Sequence, residues 1–133
     1  MSFDLTDKPF VWIPVKWDRL VPGDKPDDLA KEVEVEIEVE VEILDRDELR
    51  AVFPNLVPAD PDEVDGEAKP AMTEVERFMK ITNAWRKFKN SGKPVDYNAE
   101  NAKKLLGVAG FAGAFQNAYL AACAGKLETR RKN

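Results

Sequence analysis

Glu32-Val33-Glu34-Val35-Glu36-Ile37-Glu38-Val39-Glu40-Val41-Glu42-Ile43 alternates without a break. Successive side chains of a strand point to opposite faces, so this period of two predicts a half-buried β-strand. Val33, Val35, Ile37, Val39, Val41 and Ile43 share one face, and the six glutamates share the other. At about 3.3 Å per residue the strand is roughly 40 Å long, which is long for a small domain. Burying the β-branched face contributes at most about 10 kcal/mol. A lone hairpin cannot supply that burial, so a helical layer or a second subunit is expected over Val33, Val35, Ile37, Val39 and Val41. The glutamate face reads as a solvated surface that discourages edge-to-edge pairing, or as an acidic surface for a basic partner.

Upstream, Phe10-Val11-Trp12-Ile13-Pro14-Val15-Lys16-Trp17 is rich in β-branched and aromatic residues and predicts the pairing strand. Pro14 has no N–H to give a ladder, which places it at an edge or a bulge. Residues 18–28 contain Pro22-Gly23 and Pro26 and read as the loop. Downstream, Asp45 and Glu48 form a capping pattern ahead of Leu49, Val52 and Phe53, and Pro54 closes that short helix. The expected organisation is a β-rich segment over 1–56, an acidic linker rich in proline and glycine over 57–70, a helical part over 71–126 and a basic tail over 127–133. The fold class is α+β: an N-terminal antiparallel hairpin or small sheet with one long strand, then about three helices.

In the second half Thr73-Glu74-Val75-Glu76 is a capping box. Val75, Phe78, Ile81, Trp85 and Phe88 follow at helical spacing, which predicts one helix running through Trp85. Asn90–Pro94 reads as a turn, Asn98 as the N-cap of a helix over Ala99–Leu106, and Gly107 as its end. A last helix is expected from Val108 to Ala124, with Phe111, Phe115 and Tyr119 on one face and Gly125 as its stop. Leu105 to Ala124 is long enough for a membrane span, but it is mainly alanine and glycine, which favours a buried or self-associating helix.

Composition narrows the chemistry. The 133 residues include no histidine and one cysteine, Cys123. A Ser-His-Asp or Cys-His arrangement within the chain is thereby excluded, and a zinc site is disfavoured. No acidic pair stands out among 25 Asp and Glu residues. The expectation is therefore a non-enzyme with no catalytic, cofactor or metal residues. The lone thiol and the absence of an apolar run in Met1–Lys8 fit a reducing cytoplasm. The net charge of −5 divides unevenly: residues 1–70 carry 20 acidic and 8 basic side chains, residues 71–133 carry 5 and 12. Such asymmetry allows attraction between halves or between copies. A basic, aromatic second half also admits a small nucleic-acid-binding or regulatory module, although the acidic first half opposes phosphate.

The order of features in residues 71–133 resembles the tail assembly chaperones of long-tailed bacteriophages. These features are the helix toward Trp85, Gly92-Lys93-Pro94-Val95, Tyr97, Asn98-Ala99-Glu100-Asn101, Leu105-Leu106, the small-residue break through Gly110, Ala118-Tyr119-Leu120 and Arg130-Arg131-Lys132-Asn133. Two departures stand out. Arg86-Lys87-Phe88 stand where the family pattern has a glycine, and Lys89-Asn90-Ser91 where it has an acidic turn. The resemblance implies a non-catalytic protein of the host cytoplasm that is absent from the finished virion. It would hold the tape measure protein soluble and help recruit tail tube protein. Trp85, Phe111, Phe115 and Tyr119 are the expected partner-binding residues, and homo-oligomerisation through the long strand is the companion expectation. The rival reading is a structural or designed α+β oligomer, because the Glu/Val regularity resembles idealised patterning.

Overall fold

The computed structural model describes residues 9–53 and 72–125. The linker expected over 57–70 and the tail expected over 127–133 lie outside the described residues. The fold is α+β, as the alternation predicts: an antiparallel sheet with helices on one face.

Strands β1 (Phe10–Val21) and β2 (Lys31–Glu42) pair along their whole length, with Ile13 opposite Val39 and Val15 opposite Ile37. β1 runs four residues past the expected end at Trp17, and the loop shrinks accordingly. Ile43 N–H donates to Pro9 O at 3.0 Å, and the register continues unbroken from there. In an antiparallel ladder the bonded pairs alternate. The odd positions of β1 therefore bond to β2, and the even positions, Pro14 among them, turn their backbone to the free edge. The missing N–H of Pro14 costs no ladder bond there and blunts the edge.

Helix α1 (Arg46–Val52) opens with the expected box: Asp45 Oδ1 accepts from Glu48 N–H at 2.8 Å. Helix α2 (Glu74–Ile81) opens on the Thr73–Glu76 box. The helix expected to run through Trp85 stops at Ile81, and Thr82–Arg86 is strand β3, antiparallel to β2 with Trp85 opposite Val39. Three causes act together. Thr82 and Asn83 are poor helix formers. The Thr82 hydroxyl joins its own backbone N–H in donating to Phe78 O, at 2.7 Å, a back-bond of the kind that bends a helix away from its axis. A third strand also relieves the marginal stability of a two-stranded hairpin. Trp85 keeps its place in the apolar pattern because both conformations turn it inward.

β3 ends where Lys87 takes a φ of 63°. A two-residue hairpin follows, β4 (Lys89–Asn90) and β5 (Lys93–Pro94), with Ser91 and Gly92 both at positive φ, the type I′ geometry. Helix α3 (Ala99–Leu106) has Asn98 as its cap, accepting from Asn101 N–H at 2.8 Å. Helix α4 (Phe111–Cys123) begins three residues later than expected, because Gly110 sits at φ 89° and breaks the path from Val108. A side chain at Gly110 would also meet the Trp17 ring.

α4 packs on β1, α2 adjoins β3, and α3 packs on α2. One core draws on both halves of the chain: Ile13, Val15, Ile37, Val39 and Val41 from the hairpin, and Phe78, Ile81, Leu105, Phe111 and Tyr119 from the later elements. The inner strand face is thus covered by the chain's own helices. Ile37, Val39 and Val41 are buried and Val35 is half-buried, while Val33 remains 42% exposed. Of the two covers expected, a helical layer or a second subunit, the helices supply one over most of that face, and its far end at Val33 stays open.

Candidate functional site

Phe111, Phe115 and Tyr119 recur every four residues and stack along one side of α4. Their ring centroids are 5.9 Å apart at each step, with interplanar angles of 20° and 14°. Phe78 of α2 closes on this ladder, 4.9 Å from Phe115 and 6.2 Å from Phe111. The Tyr119 hydroxyl donates to Glu42 O at 2.9 Å and ties α4 to the end of β2. Burial pushes that phenol far above its ordinary range, and Cys123, Glu42 and Glu48 add to the shift. Trp85 contacts Phe78, Phe88 and Tyr97, and its Nε1–H donates to Val95 O at 2.7 Å. The four residues expected to meet a partner are all core: Trp85 is 8% exposed, Phe115 5%, and Phe111 and Tyr119 0%. Helical spacing is common to core and interface, and here the core claims the rings.

The helical side does offer a shallow apolar cleft beside this ladder. Phe53, Phe78, Ile81, Leu106, Ala112 and Phe115 line it, with Glu74, Arg77 and Gln116 as its polar members. Arg77 is held in place: its Nη1 donates to Met72 O at 2.8 Å, and its guanidinium carbon lies 6.0 Å from the Phe53 ring centroid. An apolar floor with a fixed cation suits an apolar contact better than a polar metabolite.

The outer sheet face carries the even residues. Trp12 lies opposite Glu40, Pro14 opposite Glu38, and Lys16 opposite Glu36, with Arg86 on the far side of Glu38. The row of carboxylates is relieved from both flanking strands. Lys16 Nζ approaches Glu36 at 4.0 Å. Arg86 and Lys87 both donate to Glu38, and these bonds hold the Glu38 carboxyl below its ordinary range. Asn83 donates to Glu40 at 2.6 Å. The Arg86 guanidinium then reaches back over β2 to sit 4.1 Å from the Trp12 ring centroid. The pairing of Trp12 with Arg86 was not legible in the sequence because Arg86 reads as helical there. The period-two run Phe10, Trp12, Pro14 was the available signal.

At the far end of the hairpin, beyond the helices, Leu20 is 67% exposed and Leu29 90%. With Val33 these are the large apolar side chains that the described residues leave in solvent there. Among the described residues no group of His, Cys, Asp or Glu is placed to hold a metal ion, and no single helix is long and apolar enough to cross a membrane. No protein-family model, curated protein or solved structure matches this chain.

Proposed function

We propose that this chain is a non-catalytic assembly chaperone of the kind made by long-tailed bacteriophages. It binds helical segments of the tape measure protein in the host cytoplasm and helps bring tail tube protein to them. Two things support the reading: the order of motifs in residues 71–133, and the cleft between Phe53, Phe78, Leu106 and Phe115. The cleft carries the weight. It is apolar, shallow and bordered by a pinned arginine, features that suit the apolar edge of an amphipathic helix lying across it. The buried aromatics then serve the site indirectly, by fixing the α2–α4 spacing that forms its floor.

The test is co-expression with a cognate tape measure protein. Ala112 lines the cleft and is only partly buried, so Ala112→Phe fills it without emptying the core. The wild-type chain keeps the tape measure protein soluble and co-purifies with it; the filled variant folds but does neither.

A second reading has its own observation. The exposed Leu20, Leu29 and Val33 at the hairpin end would suit self-association, as in a structural oligomer. A melting temperature that rises with protein concentration separates it from a monomeric chaperone.

A further inference from the structure

We infer that the outer face of the sheet, at Phe10, Glu40 and Glu42, docks an arginine-bearing extended segment of a partner protein. The site is separate from the cleft and does not depend on it.

The chain itself displays the recognition chemistry one step along the same face. Arg86 projects from β3 opposite Glu38, pairs with that carboxylate, and lays its guanidinium on Trp12, the residue opposite Glu40. Moving two residues along each strand keeps every side chain on the same face. That step replaces Glu38 by Glu40 and Trp12 by Phe10, the residue opposite Glu42. It replaces Arg86 by Ala84, the β3 partner of Glu40. The carboxylate and the aromatic ring recur, and the cation does not. Ala84 is too short to reach either.

The ring is accessible, since Phe10 is 52% exposed. Asn83 occupies Oε1 of Glu40, and Oε2 accepts no hydrogen bond among the described residues. Glu42 stands beside it on the same face and adds negative charge. A guanidinium suits this geometry better than an ammonium, because it bonds a carboxylate in its plane while stacking on a ring. Further cations at every second position of an extended partner would follow the glutamate row, whose charge favours them. Alternation on the partner also distinguishes it from a second copy of β2, which would set glutamate against glutamate.

The experiment uses the full chain and a short synthetic peptide alternating arginine with threonine, titrated by calorimetry at low salt. The same peptide with citrulline in place of arginine keeps the shape and removes the charge. The expected result is binding of the arginine peptide and none of the citrulline peptide. Phe10→Ala and Glu40→Gln should each weaken binding, and the pair together by about tenfold, from a lost cation–π contact and a lost ion pair. Ala84→Arg supplies the missing cation from within the chain and should abolish peptide binding while leaving the fold intact by circular dichroism. Glu32→Gln, at the other end of the same row, should change little. The inference is overturned if Ala84→Arg binds the peptide as the wild type does, if Glu32→Gln weakens binding as much as Glu40→Gln, or if the citrulline peptide binds equally well.

Discussion

Glu38 accepts hydrogen bonds from Arg86 and Lys87, and those bonds lower its pKa from the ordinary 4.5. A carboxyl with a depressed folded pKa stabilises the fold above its unfolded value. That contribution is lost as pH falls through the folded value. Glu38→Gln is therefore less stable than wild type at pH 7, and the gap should narrow as pH falls below 4.5, read as urea midpoints across pH 7 to 3. A constant gap would mean that the ion pairs do not bear on stability. Individual residues were legible in the sequence where their role is local. The caps at Asp45, Thr73 and Asn98 depend on side chains a few positions away, and all three form as read. Trp12 on Arg86 joins residues 74 positions apart, and no local pattern announces it.

At the scale of elements, the long strand and the short helices follow their periodicities, and the junction at Thr82 does not. Val75, Phe78, Ile81, Trp85 and Phe88 fit a helix, yet the chain turns into a strand after Ile81. The apolar spacing does not discriminate here, because Trp85 reaches the core from either conformation. The sheet's need for a third strand settles the matter, and that need is tertiary. Thr82 is the hinge of the change. Its buried hydroxyl donates to Phe78 O and lies 2.6 Å from the Tyr97 hydroxyl. Thr82→Val should cost about 0.5–1.5 kcal/mol, since it removes the hydroxyl's bonds and leaves the Tyr97 hydroxyl without its partner, while Phe78 O keeps the backbone N–H of residue 82. Adding Tyr97→Phe should return part of that loss, because it removes the hydroxyl left without its partner. Urea unfolding of the two single variants and the double variant checks this; strict additivity would show that the hydroxyls do not cooperate. Burial sets the Tyr97 phenol above its ordinary range, so the contact persists with both hydroxyls protonated across neutral pH.

Among the described residues, the molecule is a sheet with one face largely covered by its own helices and one face lined with carboxylates. The sequence already implied both faces of β2. It did not reveal what covers the apolar one, since the covering helices are distant in the chain and their aromatics could equally have met a partner. Phe78, at the junction of the Phe111–Phe115 ladder and Trp85, binds those helices to the sheet. Phe78→Ala should cost about 3–5 kcal/mol against a total of about 5–15 kcal/mol for a domain of this kind. A single cooperative thermal transition lowered as a unit would agree with one core shared by both halves, whereas two separate transitions would not. The proposed function requires binding through the cleft on the helical side. Co-expression with a cognate tape measure protein, followed by a solubility assay and a pull-down at two salt concentrations, tests it most directly. The expected result is a soluble complex that survives high salt, because apolar burial drives it, and its loss in Ala112→Phe. A tape measure protein that stays insoluble beside the folded wild-type chain, or that is rescued equally by the filled variant, would contradict it.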